Sequence, residues 1–316
     1  MMKQKLFFLL VCLVCTLTLI TGCSTPGEGE GSNGSSTVKG GDFTITLNGT
    51  EITTDSKDAI VEDSKITIVS GGNYNVSGKL TDGQIIVNVD KEVNINLILN
   101  NVDITCSNSA PIYIIEANDA IITLADGTTN TLTDGDKYTY LNAGDNEPDA
   151  TIFSKADLTI EGGGSLTVKA NFNDGIASRD DLIIESTTIT VDAKTHGIKG
   201  KDQLTINNST INVTAGDDGI KSTNDKDAGR GYMVLNNNTM TITAVDEAIS
   251  AIDNITITDG TITIDTRNNA IKSLKTIDIQ SGTLDIKTLD DDFIAEKVTG
   301  TDKAVVTVNG STYNFQ

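Results

Sequence analysis

Tryptophan is missing from the 316 residues, and aromatic residues make up only 4%. A core built on large rings is therefore excluded. Histidine occurs once and proline three times. A single histidine rules out the usual zinc ligand sets. Few prolines beside abundant Ile, Val and Leu argue against wholesale disorder. Positive charge is also short, with 23 Lys+Arg against 44 Asp+Glu and a formal net of −21. Such a field repels phosphate backbones and anionic headgroups, so a nucleic-acid partner is excluded. An anionic polymer is acceptable to this surface only with a cation in between.

Cysteine is scarce, and three of the four lie near the N-terminus. Lys3 and Lys5 precede an apolar run from Leu6 to Ile20 that holds Cys12 and Cys15. That run has the length of a signal-peptide core and is short for a membrane span. It ends in Leu19-Ile20-Thr21-Gly22-Cys23, which resembles a bacterial lipobox, where the thiol takes the lipid. Residues 1–22 are expected to be a lipoprotein signal peptide, and residues 23–41 the lipidated Cys23 with a Gly/Ser/Glu-rich tether. As a random coil the tether reaches roughly 20–25 Å. The expected location is the bacterial cell surface, with a monomer held to the membrane by the lipid anchor alone. Loss of Lys3 and Lys5 with the leader deepens the acidic excess. Cys106 is then left alone, so no intrachain disulfide staples the fold. Its alternating apolar surroundings mark it as a small packing residue.

What the chain has in quantity is repetition. Ile176, Ile198, Ile220, Ile249, Ile271 and Ile294 each close a short phrase. In order these are Asn-Asp-Gly-Ile, Thr-His-Gly-Ile, Asp-Asp-Gly-Ile, Asp-Glu-Ala-Ile, Asn-Asn-Ala-Ile and Asp-Asp-Phe-Ile. The intervals are 22, 22, 29, 22 and 23 residues, and the long one contains the polar segment 226–231. Between phrases come brief runs that alternate Ile, Leu or Val with Thr, Asn, Asp or Lys, such as Leu204-Thr-Ile206 and Ile211-Asn-Val213. Short alternating strands at a period near 22 specify an all-β solenoid, a right-handed parallel β-helix, and not leucine-rich repeats. Rungs about 4.8 Å apart would stack inward Ile on Ile, which explains a core without Trp. Residues 42–316 read as one such domain of roughly ten rungs, less regular in its first half. The polar span 134–149, with Tyr138, Tyr140 and Pro148, reads as a long excursion between rungs.

The phrases fall at one corner, and the glycine in them suits a tight turn. Stacking then lines up Asn173 and Asp174, Asp217 and Asp218, Asp246 and Glu247, and Asp290, Asp291 and Asp292. Carboxylates repeated at one rung spacing repel, and a divalent cation relieves this. Ca2+ fits best, because it accepts six to eight oxygen ligands at flexible geometry. The expected metal ligands are Asp174, Asp217, Asp218, Asp246, Glu247, Asp291 and Asp292. Turn preference alone also accounts for any one such pair. A second acidic corner follows, with Asp180 and Asp181, Asp202, then Asn224, Asp225 and Asp227.

Lys199, Lys221 and Lys272 each follow the Ile of their phrase and should point outward beside the acids. Lys199 and Lys221 are candidate sugar contacts, with Tyr232 beside the 226–231 insertion as a stacking platform. A lysine next to a carboxylate-bound metal is also what β-elimination on a uronate needs, so Lys199, Lys221 and Lys272 are the candidate bases of a lyase. The plainer role is to offset the acidic stack. His196 reads as a turn residue replacing the first acid of its phrase. Asn208, Asn237, Asn268 and Asn269 suit amide ladders or turn contacts. Rows of outward threonine are interrupted by Asn, Asp and Lys, which disfavours an ice-binding face.

Several longer phrases carry a resemblance. They are Leu80-Thr-Asp-Gly-Gln-Ile-Ile-Val87, Ser109-Ala-Pro-Ile-Tyr113, Ile122-Thr-Leu-Ala-Asp-Gly-Thr-Thr-Asn-Thr-Leu-Thr-Asp-Gly135 and Pro148-Asp-Ala-Thr-Ile-Phe-Ser-Lys155, beside the Asp-Asp-Gly-Ile-Lys repeat. Over roughly 40–300 the chain resembles the secreted "carbohydrate-binding domain-containing" β-helix proteins of plant-polymer-degrading anaerobic bacteria. The resemblance implies a pectate-lyase-like fold with calcium sites that binds cellulosic and polygalacturonate-type polysaccharide. It implies a binder that looks like a lyase rather than an enzyme. Thr195-His196 and Asn268-Asn269 depart from the expected acid pairs. Three functions are therefore expected in order: calcium-dependent binding of plant cell-wall polysaccharide, a pectate-type lyase, and an adhesin or structural rod with no sugar ligand.

Overall fold

The computed structural model describes residues 40–140, 142 and 144–315. The expectations for the leader, Cys23 and all of the tether except Gly40 and Gly41 lie outside them. The described residues belong to the compact unit Ser36–Gln316. They contain strands, turns and loops and no helix.

The alternating runs become strands that pair in parallel with the next turn of the chain, giving a parallel β-helix. An 11-stranded narrow sheet carries the repeated phrases, and a 21-stranded wide sheet carries the runs between them. Each regular rung contributes one narrow-sheet strand and two wide-sheet strands, as in Asp174–Ser178, Asp181–Glu185 and Thr188–Ala193. The wide sheet is continuous because the long strand Ile95–Cys106 pairs with Asp119–Leu124 through its first half and with Thr129–Asp134 through its second. Antiparallel strands close both ends, Ala59–Glu62 on Lys65–Ile68 and Ser311–Thr312 on Ala304–Val308.

The period-2 pattern decides which side chains meet inside. In the narrow sheet Ile152, Ile176, Ile198, Ile220, Ile249 and Ile271 stack in register, all fully buried. Matching ladders run through the wide sheet, such as Val168, Val191 and Val213. Each fully buried aliphatic side chain stabilises the fold by about 1.5–3 kcal/mol. At the turn between the two wide-sheet strands, Asn208 and Asn237 adopt φ of 49° and 53°. Asn237 donates its amide to Asn208 Oδ1 at 2.9 Å, an amide ladder of the kind the sequence suggested.

Three sequence readings need correction. The last phrase is one residue out of step, because Phe293 pairs with Ile271 and Ile294 with Lys272. The final interval is therefore the regular one, and a partly buried ring continues the Ile stack. The phrase glycines are not there for a left-handed backbone, since Gly175, Gly197 and Gly219 do not adopt positive φ. A Cβ on Gly197 would press on Val213 and come within 2.5 Å of the Gly219 carbonyl oxygen. They are small because the neighbouring rung is close. The threonine rows are also less broken than they look in sequence: Thr188, Thr210, Thr239, Thr261 and Thr283 stack without interruption.

Candidate functional site

The second residue of each phrase forms one column on the outer face of the narrow sheet. Backbone pairing stacks Asp174, His196, Asp218, Glu247, Asn269 and Asp291 in that order, each rung's N–H groups bonding to the next rung's carbonyls. His196 thus stands in the second-acid column, not the first, which Thr195 occupies. The residue after each inward Ile forms a parallel column, Ala177, Lys199, Lys221, Ser250 and Lys272. Acids and lysines are adjacent because the sheet repeats the same four positions at every rung.

Three rungs of this face form a groove of about 310 Å3. Asp217, Asp218, Asp246, Glu247, Lys221 and Lys272 supply its charged lining, and Ile252 and Leu274 its apolar side. Lys221 pairs with Asp218, and Lys272 donates to Glu247 Oε1 at 2.6 Å. That bond raises the Lys272 pKa and keeps the amine protonated. Asn269 donates to the same Glu247 oxygen at 3.2 Å, and Asn268 to Asp246 Oδ1.

Asp218, Asp246 and Glu247 each offer an oxygen within 4.8 Å of the others. All the donors are hard oxygens, the set that Ca2+ accepts and that zinc sites rarely use. Water or a bound ligand would complete its six to eight positions. A second group joins Asp217 and Asp218 to His196, whose Nδ1 lies 3.6 Å from Asp217 Oδ2. Burial lowers the His196 pKa, with Asp174 opposing and Lys221 reinforcing the shift. A neutral imidazole results, and the Asp218 N–H approaches its Nδ1 at 3.4 Å.

The other expected ligands are placed apart from these groups. Asp174 is fully buried and already surrounded by donors, namely the Thr195 hydroxyl at 2.5 Å, the His196 N–H at 3.2 Å and Lys199. Lys199 is only 8% exposed and also lies 3.7 Å from Asp149. Asp291 is exposed two rungs beyond Glu247, with Asn269 between them, and Asp292 takes the slot held by glycine or alanine in earlier phrases. Tyr232 begins a wide-sheet strand, outside the groove, and its hydroxyl meets Gln203.

At the second acidic corner Asp157, Asp180 and Asp181 also come within 4.8 Å. Burial, reinforced by Asp180 and Asp181, pushes the Asp157 pKa up to about 6. Arg230 of the 226–231 insertion answers Asp181 at 3.0 Å, and Asn224 bonds Asp202 at 2.7 Å and Asp227 at 2.9 Å. Asp157 escaped the sequence reading because no repeated phrase marks its rung. Its signal was the strand register, which stacks Leu158 on Leu182 and so Asp157 beside Asp181.

This architecture has counterparts among known proteins. A family model described as carbohydrate-binding domain-containing protein matches residues 62–314. A carbohydrate-binding domain-containing protein of Acetivibrio thermocellus is 41% identical over 195 residues, covering 61% of this chain and 66% of that protein. The match thus spans just under two thirds of that relative's length. The solved structure of the polysaccharide lyase-like protein from C. thermocellum, a gadolinium derivative, superposes with a TM-score of 0.70 at 35% identity. It covers 83% of this chain and 98% of that one. The stacked rungs that form the groove fall within the matched residues, and the chain belongs to the family of carbohydrate-binding domain-containing proteins.

Proposed function

We propose that this protein is a cell-surface lipoprotein whose narrow-sheet groove binds plant cell-wall polysaccharide, cellulosic or polygalacturonate-type, in a calcium-dependent way. The observation that carries this reading is the meeting of Asp218, Asp246 and Glu247 in the same groove as Lys221 and Lys272. The four groove acids outnumber the two lysines, and both lysines are already paired. A uronate chain is repelled by that balance. Bound Ca2+ would supply positive charge shared between protein and sugar carboxylates. Asp218, Asp246 and Glu247 would hold it. With those carboxylates engaged, Lys221 and Lys272 would be free to pair with the glycan instead. Retention on immobilised polygalacturonate and on cellulose, with Ca2+ and with chelator, tests the proposal. Retention and melting temperature both indifferent to chelator would sink the calcium role.

A lyase is the second reading, favoured by the polysaccharide lyase-like relative. The state of Lys272 weighs against it, because an amine held protonated by Glu247 is a poor base near neutral pH. Polygalacturonate with Ca2+ and this protein should give no new near-ultraviolet absorbance from unsaturated product. Its appearance would establish the lyase.

A further inference from the structure

The outer face of the narrow sheet changes character along the helix axis. The column that reads Lys199, Lys221, Ser250 and Lys272 in the groove half reads Phe153 and Ala177 in the rungs before it. The acidic column likewise begins with Ala150, which pairs with Asp174. Phe153, Ala150 and Ala177 are fully buried although they point away from the core of the helix. Tyr138 of the 134–149 excursion covers them, together with Tyr113 and Arg179.

Tyr138 of that excursion packs on the Ala110, Ala150, Phe153 and Ala177 cluster and stacks on Phe172 with ring centroids 4.1 Å apart. Its hydroxyl is 2.8 Å from Asp134 Oδ2 and 3.0 Å from the Ala150 carbonyl, fixing the root of the excursion to the sheet. The return limb is pinned as well. Arg179 meets Glu147 at 2.7 Å and Asp149 at 3.0 Å, and its guanidinium lies 5.3 Å from the centre of the Phe153 ring. Asp149 then reaches Lys199, the last lysine before the groove. None of the groove's lining comes from the Lys199 rung or earlier. At the opposite end Leu289, Asp290 and Asp291 are exposed, so the groove leaves that way into solvent.

A chain lying along the axis therefore has about 14 Å of open floor from the Lys221 rung to the Ile294 rung, three steps of roughly 4.8 Å. It cannot continue past Lys199 without displacing the excursion. We propose that the groove takes the end of a polysaccharide chain and not its interior. The 134–149 excursion is the end wall, sealed by Asp149, Arg179 and Lys199. This rests on the reading of the groove as the glycan site. An interior segment would meet Tyr138 and the Glu147–Arg179 pair head-on, whereas a terminal sugar stops against them.

The test uses the native protein with Ca2+ and polygalacturonate, before and after partial hydrolysis, at equal total uronate, as competitors for an immobilised oligomer. Cellulose and cello-oligosaccharides form a parallel arm. Chains shortened tenfold should compete about tenfold better per mass, because ends and not mass are recognised. Equal or weaker competition per mass overturns the end wall alone. Absence of binding to every material overturns the groove reading, and the end wall with it. Opening the wall supplies a second readout. Arg179→Ala, and Tyr138→Ala where its melting curve shows it folded, should erase the tenfold preference and admit long chains. A preference that survives in folded Arg179→Ala and Tyr138→Ala overturns the assignment of the wall to these residues.

Discussion

Lys272 and Glu247 are 25 residues apart in sequence and 2.6 Å apart in the groove. In the proposed site the pair would link cation binding to sugar binding, because a cation that engaged Glu247 would free Lys272. Glu247 is nearly buried and Lys272 is partly exposed, so the pair is worth no more than about 1 kcal/mol to the fold. Glu247→Gln should thus lower stability only slightly. It should bring the Lys272 pKa down toward its ordinary value, since this bond is the main cause of the rise. Lysine Nζ titration by NMR reads the shift. The raised folded pKa stabilises fully below the unfolded value near 10.5, and that contribution is lost as the pH rises through the folded value in strongly alkaline solution.

Calcium should raise the melting temperature of the native protein. At a concentration 100 times its Kd the linkage gain is about 2.7 kcal/mol. Asp218→Asn removes an oxygen shared by two acidic groups and should weaken Ca2+ by at least tenfold in isothermal titration. Asp291→Asn, two rungs beyond Glu247, should leave the titration unchanged.

Asp157 supplies a pH dependence of opposite sense to most carboxylates. Its folded pKa of about 6 stands above the ordinary value of 3.8. A raised carboxylate pKa means that ionisation opposes folding, so the contribution is favourable at low pH and is lost as pH rises through 6. The shift of about two units corresponds to roughly 3 kcal/mol, which solvent screening at this half-buried group cuts to about 1 kcal/mol. Asp157→Asn should raise the melting temperature at pH 7.5, with a gain that fades below pH 4. A gain constant across pH would mean that the carboxylate is not the cause.

Gly197→Ala tests the close approach of the rungs. Its Cβ would meet Val213 and the Gly219 carbonyl. A cost of about 1–3 kcal/mol is expected from forcing a methyl into a packed core. The natural Ala248, at the same position two rungs on, shows that the backbone itself tolerates the substitution once its neighbours are shaped for it. Chemical denaturation of the variant gives the cost directly.

The repeat was legible because a solenoid makes space from sequence in one step. Residues 22 apart, such as Ile176 and Ile198, are neighbours wherever the rung length holds. The groove acids Asp217, Asp218, Asp246 and Glu247 could be named for the same reason. Reading failed where the residue type at a repeat position changed while the rung length held. Phe293 stacks on Ile271 although Ile294 seemed to continue the phrase, because the sheet counts residues from the turn and not from the side chain. Asp157 stayed hidden because its rung carries no phrase. Asp174 was legible as an acid, but its burial under Thr195, His196 and Lys199 was not.

The sequence by itself determined that the chain is an acidic all-β solenoid, since alternation and period constrain the backbone wherever the apolar set must face inward. It also put carboxylates and lysines on one corner. Which of them meet solvent was decided by the tertiary structure. Tyr138 of the 134–149 excursion packs on Ala150, Phe153 and Ala177, and Asp149 meets the buried Lys199, whereas Lys221 and Lys272 line the groove. A repeat fixes where equivalent residues stack, but an insertion packs by its own contacts. Tyr138 on Ala150 and Asp149 on Arg179 join segments with no periodic relation, so nothing in the period foretold where the groove would end.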